Sequence, residues 1–311
     1  MANDTLLKAL ALESRVRVYI INSTSVTNEA IKRHDLWPSA ASVLGKTMAI
    51  GLMMGAMLKG EEALTIKIDG NGPIGTVCVD AYPNGTVRGY VERNHVHFTN
   101  KEGLDDVYTL GYNGYIDVIK DLKLKDLFTS TIPLQTGDLA KDFTYYFMKS
   151  EQTPSLVSLG SLFDVDNTCK VCGGIIIQLL PNATEEDITY IENKINILSK
   201  MSDLLLKYTD LEDILKLIFD NNYSILEKKD VCFKCPCSKE NFAKGLNKKT
   251  LTEEMKQKIE KYLEKGLATL PKKDLEDIIN KDKKAEVVCH YCNEKYTFSL
   301  EELEEILKGA K

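Results

Sequence analysis

Two close cysteine pairs, Cys235-Pro-Cys237 and Cys289-His-Tyr-Cys292, constrain this chain more than any other feature of its sequence. Zinc in a structural site takes four ligands in a tetrahedron, and two such pairs supply four soft thiolates. Fifty-one residues separate the pairs, more than in a compact zinc ribbon. Loop-closure entropy grows only logarithmically, so this gap costs roughly 0.5 kcal/mol more than one of about thirty residues. Helical patterns inside the gap, at Leu251–Gly266 and Leu275–Lys281, can fold locally and bring the pairs together. Cys235, Cys237, Cys289 and Cys292 are therefore the expected ligands of one Zn²⁺.

The same thiolates are nucleophiles that peroxide or hypochlorous acid attacks. Oxidation removes the ligands, and structural zinc holds about 10–16 kcal/mol of folding free energy in small peptides. A disulfide across Cys235-Pro-Cys237 would close over a single residue and be readily reduced. The arrangement suits a reversible switch better than a permanent clamp. A thioredoxin-type reading of Cys289-x-x-Cys292 requires a helix after the second cysteine. Asn293-Glu-Lys-Tyr-Thr-Phe298 instead reads as turn and strand, the shape of a zinc knuckle.

The remaining four of the eight cysteines are Cys78, Cys169, Cys172 and Cys232. Cys169-Lys-Val-Cys172 leads into an apolar strand, where residues three apart face opposite sides. It is a poor metal half-site unless it lies in a turn, and a redox role is the second reading. Cys78 reads as core, and Cys232 as a bystander able to enter disulfide exchange.

Composition excludes several functions. Of 311 residues 43% are hydrophobic and 28% charged, as in an ordinary folded protein, and the net charge of −6 argues against nonspecific attraction to nucleic acid or anionic membranes. Residues 231–311 carry 17 Lys/Arg against 15 Asp/Glu, a small excess that four thiolates and one Zn²⁺ cancel. The longest apolar stretch, Met48–Leu58, is 11 residues, whereas a membrane span needs about 20. Met1–Val18 has neither a basic leader nor a small-residue cleavage pattern. The cytosol is the expected compartment, where grouped cysteines are metal ligands or redox sensors rather than structural disulfides.

Along the chain, Ser39–Leu58 has helical spacing. Leu64, Ile66 and Ile68 alternate with polar residues, then Asp69-Gly-Asn-Gly-Pro73 turns into a strand at Ile74–Ala81. Pro83-Asn-Gly85 turns again into Thr86–Glu92, which makes an antiparallel three-strand meander. Further strands are expected at Gly114–Lys120, Thr129–Leu134 and Gly174–Leu180, with a helix at Asp142–Ser150. After Pro181, Thr184 with Asp187 and Thr209 with Glu212 are cap patterns opening two helices. One carries an apolar stripe of Ile188, Ile191, Ile195, Leu198 and Leu205, the other of Leu211, Ile214, Leu215 and Ile218. A last helical pattern runs from Leu300 to Leu307. The expected fold is α+β: an antiparallel-sheet core with packed helices over 1–181, a helical connector over 182–230, and a small C-terminal zinc-binding domain over 231–311.

Gly70-Asn-Gly72-Pro-Ile-Gly75 matches the dinucleotide fingerprint in letters only, since strand rather than helix follows it. His95 and His97 share a face and read as surface histidines before metal ligands; His34 and His290 complete the set. His290 is not needed as a ligand beside four cysteines. No nucleophile motif or phosphate loop appears, and nothing argues for an enzyme.

The chain closely resembles the 33 kDa heat-shock protein family of redox-regulated bacterial chaperonins. The resemblance rests on Asp69-Gly-Asn-Gly-Pro-Ile-Gly75, Val87-Arg-Gly-Tyr-Val91, Ser150-Glu-Gln-Thr-Pro-Ser155, and Gly173-Gly174 with Gln178. Cys235-Pro-Cys237-Ser and Cys289-His-Tyr-Cys-Asn-Glu-Lys-Tyr296 complete it, and it runs from Leu6 to Leu307. It implies a reduced, zinc-bound form of little activity. Oxidation would then join Cys235 to Cys237 and Cys289 to Cys292, expel zinc, and unfold the tail and the connector. It further implies an ATP-independent holdase that binds unfolding or oxidatively damaged proteins and dimerises when activated. The chain departs from the family pattern in a longer, Lys- and Glu-rich segment at Asn247–Gly266 and in Cys169, Cys172 and Cys232. Two other readings are a zinc-dependent nucleic-acid module, which the near-neutral tail disfavours, and a constitutive structural zinc protein.

Overall fold

The computed structural model describes residues 4–101, 103–246, 284–299 and 301–302. Met1–Lys234 forms one compact unit and Cys235–Lys311 a second. The first opens with the hairpin β1 (Thr5–Ala11) and β2 (Val16–Asn22), followed by helices α1 (Thr24–His34) and α2 (Pro38–Gly55). The meander is β3 (Ala63–Asp69), β4 (Thr76–Ala81) and β5 (Thr86–Val91). Next come the short β6 (Thr99–Asn100), β7 (Gly103–Leu104) and α3 (Asp106–Leu110), then β8 (Tyr115–Asp121), β9 (Phe128–Pro133) and α4 (Leu139–Lys149). A second hairpin, β10 (Ser155–Phe163) and β11 (Cys169–Leu179), leads to α5 (Glu185–Asn193), α6 (Ile195–Leu198), α7 (Met201–Lys207) and α8 (Leu211–Phe219). The strands β12 (Tyr223–Asp230) and β13 (Cys232–Phe233) end this unit.

Two sheets result. One has the order β10-β11-β2-β1-β12, antiparallel throughout; the other is β13-β5-β4-β3-β8-β9, antiparallel except where β13 runs parallel to β5. Between them lies α2, whose small residues let both sheets approach. All of its residues except Lys46 are buried, and a Cβ at Gly51 would lie 3.0 Å from Val79. Leu44, Met48 and Ile50 share one core with Ile21 and Ile176 of the first sheet and Ile66 and Val79 of the second. The expected α+β core is the one observed.

The outer face of the five-stranded sheet carries a separate core. Ile191, Leu198, Leu205, Leu211, Ile214, Leu215 and Ile218 pack there against Leu7, Val18, Ile20, Ile175 and Ile177. The connector's apolar stripe is thus buried. The exceptions are Ile188, which is half-buried, and Ile195, which is exposed, because the first expected helix is broken into α5, α6 and α7 and its phase is lost. Thr184 and Asp187 form the capping box of α5 as expected, while Asp210, not Thr209, caps α8 by accepting from Glu212 N–H.

Helix does not continue to Asp230. Tyr223–Asp230 pairs with β1 as an edge strand of the five-stranded sheet, in a register broken by a bulge at Lys8/Ala9. No helix among the described residues is long and apolar enough to cross a membrane. The second unit contains α9 (Lys239–Leu246) and the hairpin β14 (Lys284–Val288) and β15 (Lys295–Ser299). The helices expected at Leu251–Gly266 and Leu275–Lys281, and most of Leu300–Leu307, lie outside the described residues.

Candidate metal centre

The β14–β15 hairpin positions the second cysteine pair at its tip. Beyond the last ladder pair, Val288 with Lys295, the chain makes a tight knuckle. Cys289 N–H donates to the Glu294 carbonyl at 2.9 Å, and Asn293 N–H donates to the Cys289 carbonyl at 2.7 Å. Asn293 takes a left-handed φ of 58°, which asparagine tolerates better than most residues. The knuckle turns the Cys289 and Cys292 sulfurs inward, and both residues are buried. This is the turn-then-strand shape expected of residues 293–298, not the helix of a thioredoxin-type pair.

The first pair lies in the irregular segment just before α9, with Pro236 between Cys235 and Cys237. Aromatic packing ties this segment to the hairpin: the rings of Phe242 and Tyr296 are 5.2 Å apart. Lys239 Nζ lies 5.2 Å from the centre of the buried Phe298 ring and 2.6 Å from Glu302 Oε1.

All four sulfurs lie within 4.8 Å of one another, and the group can hold a metal ion. Cys235 Sγ is 3.7 Å from Cys289 Sγ, and Cys237 Sγ is 3.2 Å from Cys292 Sγ. Zinc–sulfur bonds of about 2.3 Å give a tetrahedron with edges of about 3.8 Å, so the first approach matches a shared ion. No disulfide joins any of the eight cysteines. The thiols' own titration favours a bound cation as well. The hydrogen bond shared with Cys235, then burial, pushes the Cys289 thiol up, and burial pushes Cys292 up to about 11. Four thiolates in so small a volume repel one another unless a cation offsets their charge. The residues present therefore fit a soft divalent ion.

Tyr296 belongs to this centre and escaped the sequence reading as a functional residue. Its Oη lies 3.2 Å from Cys237 Sγ and donates to the Cys237 carbonyl at 3.1 Å. The available signal was register: in a hairpin closed by a knuckle, Tyr296 faces Val287 one pair beyond the turn.

The other singled-out residues fall elsewhere. Cys78, Cys169 and Cys172 are buried in the first unit, and Cys232 is exposed beside β5. His95 and His97 are exposed on an extended segment. His95 Nε2 lies 2.9 Å from Asp35 Oδ2, and its ring stacks on Trp37. His34 is buried near Phe233, and His290 is exposed at the knuckle. The glycine-rich segment 70–75 is the β3–β4 turn, with backbone packed against it. A Cβ at Gly72 would stand 2.3 Å from the Leu110 carbonyl carbon, and Gly72 N–H donates to Leu110 O at 3.0 Å. Backbone occupies the room a phosphate would need.

With this geometry in view, comparison with known proteins is decisive at the level of family. The sequence model described as Hsp33 protein matches residues 4–261 and 256–299. The chain belongs to the Hsp33 protein family. The 33 kDa chaperonin of Bacillus velezensis is 44% identical over 305 residues, spanning 97% of this chain and 98% of that protein. That of Bacillus subtilis is 44% identical over 303 residues, 97% of each chain. The crystal structure of the 33 kDa chaperonin (heat shock protein 33 homolog) from Thermotoga maritima superposes with a TM-score of 0.86 at 34% identity. It covers 99% of this chain and 98% of its own.

Proposed function

We propose that this chain is a redox-regulated, ATP-independent holdase chaperone of the cytoplasm. Residues 231–311 are its zinc switch, residues 182–230 its connector, and residues 1–181 its core. In the reduced state Cys235, Cys237, Cys289 and Cys292 hold one Zn²⁺. The ion supplies the positive charge that lets four thiolates share one small volume, and with it the folding free energy of the tail. The observation that carries the reading is the convergence of these four sulfurs within 4.8 Å, none in a disulfide.

Oxidation joins Cys235 to Cys237 and Cys289 to Cys292. Sulfurs of different pairs also approach to 3.2 and 3.7 Å, so this local pairing requires the pairs to part as the ion leaves. Loss of the ligands melts the tail and then loosens the connector. The stripe of Ile191, Leu198, Leu205, Ile214 and Ile218, now packed on the five-stranded sheet, would become adhesive once uncovered. Unfolding or oxidatively damaged proteins are the partners, and the active form is a homodimer. No step in this cycle is catalytic, and none involves nucleic acid or a membrane.

The test is light scattering of a thermally unfolding client, with the protein either reduced and zinc-loaded or treated with peroxide at mildly raised temperature. Suppression by the treated form alone, with about one zinc released and restored on reduction, is the expected result. Equal behaviour of the two forms would reject the switch. Peptide mapping that found Cys235–Cys289 or Cys237–Cys292 links would reject the pairing.

A further inference from the structure

The second Cys-x-x-Cys, Cys169-Lys-Val-Cys172, is not the pair of opposed side chains that an extended strand implies. The β10–β11 ladder pairs Ser161 with Cys172 and Leu162 with Val171, then Phe163 with Cys169, leaving Lys170 as an extra residue in a bulge. Counting Lys170 out of the alternation makes Cys169 and Cys172 next-but-one neighbours, so both face the same side. Lys170 is exposed and pairs with Asp164 at 3.1 Å; Val171 joins the opposite core, under the connector.

Both cysteines face α1 and α2. Beyond Gly173, β2 no longer pairs with β11, and the first turns of α1 take its place. Cys169 N–H donates to Asn28 Oδ1 at 2.9 Å, Asn28 Nδ2 donates to Cys169 O at 2.9 Å, and Cys172 N–H donates to Thr24 Oγ1 at 3.1 Å. Gly45 of α2 leaves room for the Cys172 sulfur, which lies 3.0 Å from where a Cβ would stand. Both cysteines are thus buried on one face of the strand, with the bulge between them.

We propose that Cys169 and Cys172 are a second redox-active dithiol, closed to a disulfide by a hydroperoxide independently of the four-cysteine centre. Cys172, whose sulfur lies in the notch at Gly45 beside the Thr27 hydroxyl, is the nucleophile. The Cys169 S–H lowers its thiol against burial, helped by the Thr27 hydroxyl, the Lys46 ammonium and the Ser23 hydroxyl, while Cys169 is raised as the proton donor. Cys172 Sγ attacks the O–O bond, which breaks to leave a sulfenic acid on Cys172 and release water or an alcohol. Cys169 Sγ then displaces the hydroxyl, the S–O bond breaks, and a second water leaves. The two sulfurs supply two electrons, and the peroxide accepts them. Closure must bring the two Cα atoms within roughly 7 Å, and the bend at Lys170 shortens their span. Cys169 is 4% and Cys172 0% exposed, so the oxidant enters when the adjoining turn frays. Its tip carries the fully exposed Val165 and a left-handed Asn167.

The experiment treats the full-length zinc-loaded protein with hydrogen peroxide, blocks remaining thiols at intervals, and maps the peptides by mass spectrometry. The peptide holding Cys169 and Cys172 should escape alkylation and weigh two hydrogens less, reversibly with reductant. In Cys169→Ser, Cys172 should instead accumulate a sulfenic acid trapped several-fold above wild type by dimedone. Complete alkylation of both residues while the other thiols oxidise would overturn the proposal. So would oxidation of this pair only in urea-unfolded chain, since the fold would then contribute nothing. The outcome does not depend on whether the four-cysteine centre is a switch, because the two sets of peptides are read separately.

Discussion

At the scale of single residues, the side chains around the four sulfurs decide how firmly an ion would be held. Tyr296 Oη reaches both Cys237 Sγ, at 3.2 Å, and the Cys237 carbonyl, at 3.1 Å, fixing that cysteine from outside the ligand set. Partners of this kind are worth about 10–100-fold in metal affinity. Tyr296→Phe should therefore lose zinc to a chelator about tenfold faster or at lower chelator concentration, which a colorimetric zinc indicator measures; unchanged release would show that the phenol is only packing. Asp187 makes a second such prediction. The Arg15 guanidinium, 2.7 Å away, holds its carboxyl down at about 2, against burial and with help from Thr184. A folded pKa below the unfolded one contributes stability above the unfolded value, and that stability is lost as pH falls through the folded value. The melting-temperature gap between wild type and Asp187→Asn should be open at neutral pH and close between about pH 4 and pH 2. A gap independent of pH would mean the capping hydrogen bonds, not the charge, carry the effect.

At the scale of elements, legibility followed the strength of local pattern. The meander and α8 declared themselves through period-2 and 3.6-residue spacing, and the capping box of α5 through two side chains. β1 and β2 did not, because their sheet is covered on both faces and Leu6, Leu7, Ile20 and Ile21 are all buried, which erases alternation. β12 hid for the opposite reason: as an edge strand it is mostly exposed, and its identity comes from its partner β1. The β11 bulge is set by pairing with β10, so no reading of Cys169-Lys-Val-Cys172 alone could place both sulfurs on one face. The four-cysteine site, by contrast, needed only ligand type and spacing. The connector's hold on the sheet is testable within α8. Ile214 is fully buried in the outer core, and Ile214→Ala should destabilise that packing by about 2–4 kcal/mol. If the connector's release exposes the client surface, this variant should suppress client aggregation at a lower peroxide dose than wild type. An unchanged dose response, with the expected loss of stability, would separate connector packing from activation.

At the scale of the whole molecule, the two units draw their stability from different sources. Met1–Lys234 has two large sheets and two cores, one around α2 and one under the connector. Among the described residues of Cys235–Lys311 there are one short helix and one two-stranded hairpin, with Phe298 and the two cysteines of the knuckle as its buried side chains. An isolated hairpin is marginal in water, and the apolar core of the described residues is too small to offset the conformational entropy of ordering them. Under the proposed function, an ion held by the four cysteines supplies the difference. Removing the ion with a high-affinity chelator under reducing conditions, so that no disulfide forms, should abolish amide-exchange protection across 284–299. The strands of 5–22 and 63–91 should keep theirs. Re-adding zinc should restore the lost protection. If the hairpin stayed protected without metal, the ion would not be holding the tail together, and its loss could not be the event that opens the molecule. If protection collapsed in both units at once, the chain would unfold as a single cooperative body, and a switch confined to the tail would be excluded.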